Sequence, residues 1–179
     1  MSSPPFSLSG FTNAGSAQSF GITPNPTKLD HWSKANGIKL KDFQAIISFE
    51  AEVDMKFDEF DEDNLELAFF GSEVSSGMIE IGNSSSIIQR EVAFVGSNTY
   101  GPNVAILLPR VSFRCNKVIE FIGESAWGEL ELTGEMLAVN GNYGAIWFIA
   151  NDPVAAPNVD NYYFGMGQVW TAPLGTVGV

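Results

Sequence analysis

Residues 37–71 read GIKLKDFQAIISFEAEVDMKFDEFDEDNLELAFFG, and the fold class turns on how this stretch changes its period. From Phe43 the odd positions Phe43, Ala45, Ile47, Phe49, Ala51, Val53, Met55 and Phe57 are all apolar. The even positions Gln44, Ser48, Glu50, Glu52, Asp54 and Lys56 are polar, with Ile46 the exception. Successive strand side chains point to opposite faces, so one long strand with a buried face and a wet face is expected. The period then becomes helical. Asp58 and Asp61 stand three apart, a spacing at which one carboxylate caps a backbone N–H while the other sits in the first turn. Leu65, Ala68 and Phe69, widened by Leu67 and Phe70, form a helical stripe, and Gly71 is a natural stop. The expected unit is a strand, an acidic cap, a short helix over 59–70 and a glycine.

Downstream, the chain reads as short strands separated by Gly, Asn and Pro turns. Segments 77–81 and 87–95 flank the polar turn GNSSS, and SNTYGPN at 97–103 is another turn. Segment 104–114 is a strand containing Pro109, which implies an edge or a bulge because proline cannot donate to a ladder. A strand over 117–122 follows a tight turn. In 129–139, Glu129, Glu131, Thr133 and Glu135 alternate with Leu130, Leu132, Gly134 and Met136. NGNYG at 140–144 supplies positive-φ residues for a hairpin, and the apolar strand 145–150 ends the core. Residues 151–179 turn Pro- and Asn-rich, then aromatic at Tyr162, Tyr163, Phe164 and Trp170, and read as a last strand plus a C-terminal tail.

Residues 1–36 are rich in Ser, Pro, Gly, Asn and Thr and carry no helix or strand period. Such a stretch reads either as a flexible terminus or, through its spaced aromatics Phe6, Phe11, Phe20 and Trp32, as an extended N-terminal arm that docks on a neighbour, the form that the family resemblance described below implies. The expected fold is therefore mainly β: a β-sandwich or barrel over 37–150 with one short α-helix, an N-terminal arm over 1–36 and a C-terminal tail. No internal repeat or second domain is visible.

The 179 residues are enough for one well-filled core, and 45% apolar composition belongs to a folded protein. Nine Lys and Arg against 21 Asp and Glu give a net charge of −12, the wrong sign for gripping nucleic acid phosphates. Cys115 is the only cysteine and His31 the only histidine, which excludes an intrachain disulfide and ordinary thiolate–imidazole zinc sites. The segment MSSPPFSLSG lacks the basic and apolar regions of a secretory signal, and no apolar run is long enough to span a bilayer. A soluble protein made in the cytoplasm, with no membrane partner, is expected.

Few residues offer chemistry. Asp58, Glu59, Asp61, Glu62 and Asp63 supply oxygens for a hard cation, but their spacing does not match an EF-hand loop and an acidic first turn suits the helix dipole. His31, beside Asp30, has no G-x-S-x-G serine to serve, and Gly165-Met166-Gly167 is too short for a dinucleotide fingerprint. No catalytic residue, cofactor or metal ligand is assigned, and no enzyme is expected. The informative feature is the pair of acidic rows, Glu50, Glu52 and Asp54 on one strand and Glu129, Glu131 and Glu135 on another. Like charges facing each other in a sheet are destabilising, so these rows must be well solvated or laced with cations.

Two segments carry a resemblance. Gly37, Ile38, Lys39, Leu40, Lys41 and Asp42, followed by Asp58, Glu59, Asn64, Leu65, Leu67, Ala68 and Gly71, resemble a motif of the major tail tube proteins of long-tailed, siphovirus-like bacteriophages. Residues 108–137 resemble that family's later strand–turn–strand, and together the two cover about a third of the chain. The resemblance implies a structural virion protein: a homo-hexameric ring, stacked into a hollow tube, that conducts the phage genome during ejection. It implies tape-measure, tip and terminator proteins as partners, assembly in the host cytoplasm and viral DNA that passes without tight binding. Glu50, Glu52, Asp54, Glu129, Glu131 and Glu135 are then expected to face the lumen, and Phe6, Phe11, Phe20, Trp32, Tyr162, Tyr163 and Trp170 to make inter-subunit contacts. The competing class is a β-sandwich carbohydrate-binding or adhesion module that uses Tyr162, Tyr163 and Trp170 as stacking platforms.

Overall fold

The computed structural model describes residues 6–57, 61–70, 72–75, 78–82, 88–96, 102–115, 118–119, 121, 129–149 and 167–173. The fold is mainly β with one short helix, as the alternation predicts. Two long strands come first, β1 (Thr12–Ala35) and β2 (Ile38–Phe57). The helix α1 (Glu62–Phe69) follows, then the small strands β3 (Ser72–Ser75) and β4 (Met78–Glu80). Next come β5 (Gln89–Gly96), β6 (Asn103–Arg114), β7 (Leu130–Met136), β8 (Ala145–Ile149) and β9 (Gly167–Pro173).

The large sheet runs β5-β9-β1-β2-β7-β6-β8, all pairs antiparallel, and β5 also pairs with β6. That extra pairing closes β5, β9, β1, β2, β7 and β6 into a barrel, which satisfies the ladder groups an open sheet leaves at its edges. The inward row of β2 is the expected one at its C-terminal end: Ala51, Val53, Met55 and Phe57 are buried. They meet Leu130, Leu132 and Met136 of β7, Val111 and Phe113 of β6, and Val169 of β9. Gly134 completes the β7 row. A Cβ there would lie 3.1 Å from Val53 Cγ1 and closer still to Val111 Cγ1, so the barrel interior admits only glycine at this point.

The helix is capped one turn later than the first acid allows. Asp61, not Asp58, accepts the Asn64 backbone N–H at 2.7 Å, and Asp58 and Glu59 lie outside the described residues. Phe70 takes the left-handed conformation (φ 50°), the role expected of Gly71, which also lies outside them. Leu67 and Ala68 close one end of the barrel, and buried Asn64 donates to the Ala14 carbonyl at 2.8 Å.

Several sequence expectations change. Residues 12–35 have no strand period, yet form the longest strand, because pairing with β2 supplies the hydrogen bonds that local pattern does not announce. Residues 6–11 fold back over β5, β6 and β8: Phe6, Ala93, Val95 and Ala105 form a second buried cluster, with Phe11 and Trp147 packed against it. The described part of segment 77–81 forms β4, which pairs with β3. Pro109 sits in a bulge, one of the two places expected for it: Arg90 and Val92 face Val111 and Leu108, which leaves Pro109 in the shifted register between β8, which ends its pairing at Leu107, and β7, which begins at Val111. No strand is found at Val118, Ile119 or Phe121, the described part of 117–122. Asn140 and Gly141, both at positive φ, make the expected tight turn between Val139 and Asn142. The core does not end at residue 150, because β9 lies between β5 and β1 with Val169 and Ala172 buried.

Candidate functional site

Two features stand out from the closed barrel: an outlying hairpin and an acidic wall. β7 pairs with β2 only from Ala51 to Phe57, and β9 with β1 only from Thr12 to Ala17. Residues 25–35 and 38–50 therefore pair only with each other among the described residues. The result is a long two-stranded ribbon standing beyond the barrel. Isolated two-stranded ribbons are marginal in water, and this one exposes large apolar side chains. Phe43, Ile38 and Ile46 are each 63% exposed, and Leu29, Leu40, Ile47, Phe49 and Trp32 are exposed as well. These side chains lie on both faces of the ribbon, and so much exposed apolar surface on one element points to an interaction site.

Bulges decide which face these side chains occupy. Thr27 and Lys28 are adjacent on β1 and so point to opposite faces, yet their partners Ser48 and Ile46 are two apart on β2. The extra residue, Ile47, breaks the alternation. Phe43 and Ala45 consequently leave the core row and join the face of Glu50 and Glu52. A second shift, between His31 and Trp32, restores the original parity. Side-chain contacts follow this assignment. Asp30 receives Lys41 Nζ at 2.6 Å and Gln44 Nε2 at 2.8 Å, and Lys39 Nζ lies 5.6 Å from the Trp32 ring centre, all on one face. His31 Nδ1 meets Asp42 Oδ1 at 2.7 Å on the other. These bonds hold both carboxyls below their ordinary value of 3.8: Asp30 through Lys41 and then Gln44, Asp42 through His31. The outer ribbon thus carries Leu29, Ile38, Leu40 and Phe43 on one face, and Lys28, Lys34, Lys39 and Lys41 together with Ile46 and Trp32 on the other.

The acidic wall is the outer face of the barrel where β2, β7 and β6 run side by side. The structure brings the two predicted rows together there. Glu52 is the direct cross-strand partner of Glu135, Asp54 of Thr133 and Lys56 of Glu131. Such a Glu–Glu pairing is unfavourable alone, and the cation that relieves it comes from β6: the Arg114 guanidinium donates to Glu52. Lys56 Nζ holds Glu129 at 2.6 Å, and Thr133 Oγ1 donates to Asp54 at 3.0 Å. Glu50 is exposed at the junction with the ribbon. The sequence allowed solvation or cations on this face and did not single out Arg114. The alternation of Ser112 and Arg114 with the apolar Val111 and Phe113 was the available signal.

The expected contact aromatics divide. Phe6 packs against Trp147 with ring centres 5.3 Å apart, Phe20 stacks on Phe94 at 4.3 Å, and Phe11 joins the second cluster, so all three find partners in their own chain. Trp32 remains 48% exposed on the ribbon. Trp170 lies on β9, opposite Asn13 and Ala93, while Tyr162 and Tyr163 lie outside the described residues. Among the described residues no three His, Cys, Asp or Glu side chains gather as a metal site, and no helix is long and apolar enough to cross a membrane. No protein-family model matches the chain, and no curated protein matches it in sequence.

Proposed function

We propose that the protein is a structural subunit that polymerises into a hollow tube, the major tail tube protein of a long-tailed bacteriophage, with the acidic wall lining the lumen. The observation that carries this reading is the ribbon of residues 25–35 and 38–50, which is unfinished as a monomer structure. Both of its outer edges lack a ladder partner among the described residues, and its apolar side chains are exposed. Ribbons set side by side around a ring, β2 of one copy against β1 of the next, would pair these edges in an alternating antiparallel barrel and leave none open. The wall acids continue the same strand. A lumen lined by Glu50, Asp54 and Glu135 would repel DNA phosphates and let the genome slide.

The test is negative-stain microscopy and sedimentation of the full chain across a concentration series. Rings or hollow tubes with six-fold end views are the expected result. A particle that stays monomeric up to the solubility limit, alone and with a tail-tip nucleus added, sinks the reading. The lumen assignment has its own test, because Glu50→Lys with Glu135→Lys should leave tubes intact and slow DNA passage through them. Unchanged ejection kinetics in such particles would remove the acids from the lumen.

A further inference from the structure

The outer ribbon sorts its side chains by chemistry as well as by face. On one face the cross-strand pairs are Leu29–Ala45, His31–Phe43, Ser33–Leu40 and Ala35–Ile38. Leu29, Ile38, Leu40 and Phe43 are exposed there, and the polar interruption, His31 with Asp42, is bonded within itself. The register shift between His31 and Trp32 brings Phe43 onto the face of Ile38 and Leu40, where strict alternation would oppose it to them. On the other face Trp32 pairs with Lys41 and Lys34 with Lys39. Asp30 holds Lys41, but Lys34 and Lys39 form no ion pair among the described residues. Two lysines directly opposed in a ladder repel each other unless an anion lies over them.

The net charge of −12 does not decide what approaches this end of the ribbon. At about 3.3 Å per residue, Glu50 lies roughly 35 Å from Lys39 along β2, several times the screening length of about 8 Å at physiological salt. We propose that the ribbon of the free subunit binds an anionic lipid surface, with Leu29, Ile38, Leu40 and Phe43 in the acyl boundary and Lys34 and Lys39 reaching headgroup phosphates. Both faces carry the argument. A nucleic acid would meet the lysines and leave the apolar face in water, and a second copy laid on the apolar face would leave the lysine pair unmet. An anionic leaflet presents an apolar layer beneath a layer of phosphates, so it meets both faces of one flat element. Lysine stems lie along apolar surface while their ammonium groups stay at headgroup level, where Trp32 on the same face also belongs. The ribbon's outer edges lack ladder partners among the described residues, and unpaired backbone groups are not tolerated in the hydrocarbon core. The ribbon therefore lies on the leaflet and does not cross it. The inference goes beyond the tube reading and needs only the unassembled chain.

The experiment floats the dilute full chain with vesicles of mixed phosphatidylcholine and phosphatidylserine, beside vesicles of phosphatidylcholine alone. Flotation with the mixed vesicles, weaker with phosphatidylcholine and weakened by salt, is expected. Lys34→Glu with Lys39→Glu should lower the binding constant by more than about tenfold. Leu40→Ser with Phe43→Ser should lower it as much while the thermal midpoint of the barrel holds, since both positions are exposed. Binding that survives either double variant overturns the proposal. Depth is read with a polarity-sensitive dye placed by Phe43→Cys or by Gln44→Cys, on opposite faces, in a Cys115→Ser background. A blue shift at position 43 and little at 44 is expected; no shift at 43, or equal shifts, means adsorption without insertion and overturns it. No flotation in any mixture overturns it too, and tubes seen by microscopy in that case leave the tube reading standing. Two further outcomes without flotation count against it. Retention of duplex DNA that the lysine variants lose would assign that face to nucleic acid, and a discrete dimer that the serine variants lose would assign the apolar face to a second copy.

Discussion

The two halves of β2 have nearly the same pattern and opposite fates. From Ala51 to Phe57 the alternating apolar side chains are buried, because β7 on one side and β1 on the other curve this half into a closed barrel. From Phe43 to Phe49 the odd positions are apolar as well, yet Phe43 and Ile47 are exposed and Phe49 meets only Tyr143 among aromatic rings. Alternation assigns side chains to faces; it does not supply whatever lies against a face. The outer half carries apolar side chains like those of a core strand, with no strand laid against it but β1 among the described residues.

Mutations can break or sharpen that contrast. The largest expected effect is at the buried end: Phe57→Ala, at a fully buried site, should cost about 3–5 kcal/mol by loss of transfer energy plus a cavity. Phe43→Ala, at 63% exposure, should shift monomer stability by less than about 0.5 kcal/mol yet impair assembly. Denaturant titration of dilute monomer beside sedimentation of concentrated samples checks both. Equal destabilisation by the two would mean the ribbon folds as part of the body. Next comes Gly134→Val, which forces a side chain into Val111 and Val53 and should cost about 1–3 kcal/mol without changing the outer face.

A smaller effect is expected at the helix cap. Asp61→Ala should lose about 1 kcal/mol, the usual value of an N-cap carboxylate. Burial, with Asp63 beside it, raises the Asp61 pKa although its bond from Asn64 opposes the shift. The folded state therefore binds this proton more tightly than the unfolded chain, and stability from this group rises as pH falls through its raised pKa towards 3.8. Asp61→Asn keeps the cap, and its thermal midpoint should lack that pH dependence. The smallest effect belongs to the ribbon. Asp30 and Asp42 are depressed below 3.8, so what they contribute is present above that pH and lost as it falls through their lowered values. Hydrogen exchange should show faster opening of the ribbon under acid while the barrel amides hold; equal acceleration in both would make these bonds global, against their place on an exposed ribbon.

Pro109 and Gly134 show how much was legible. A proline inside a strand is permitted at an edge or in a bulge, and Pro109 takes the bulge. Gly134 was correctly placed on the inward row by alternation alone. Residues 12–35 were not legible, because a strand held by long-range pairing needs no apolar period of its own. Phe6 and Phe11 were read as reaching for a neighbour when they cover β5, β6 and β8 of their own chain. Aromatic spacing reveals an anchor without naming its dock.

The sequence by itself determined the β class, the acid-capped helix, the tight turn at Asn140 and Gly141, and the parity of the acidic rows. All of these follow from neighbours a few residues apart, whose sterics and hydrogen bonds are encoded locally. Only the tertiary structure decided that β5 closes on β6, that β9 enters the core, that Arg114 reaches Glu52 across β7, and that a bulge at Ile47 moves Phe43 to the acidic face. Each depends on register between segments distant in sequence. A shift of one residue in register exchanges the two faces of a strand, and nothing local opposes it.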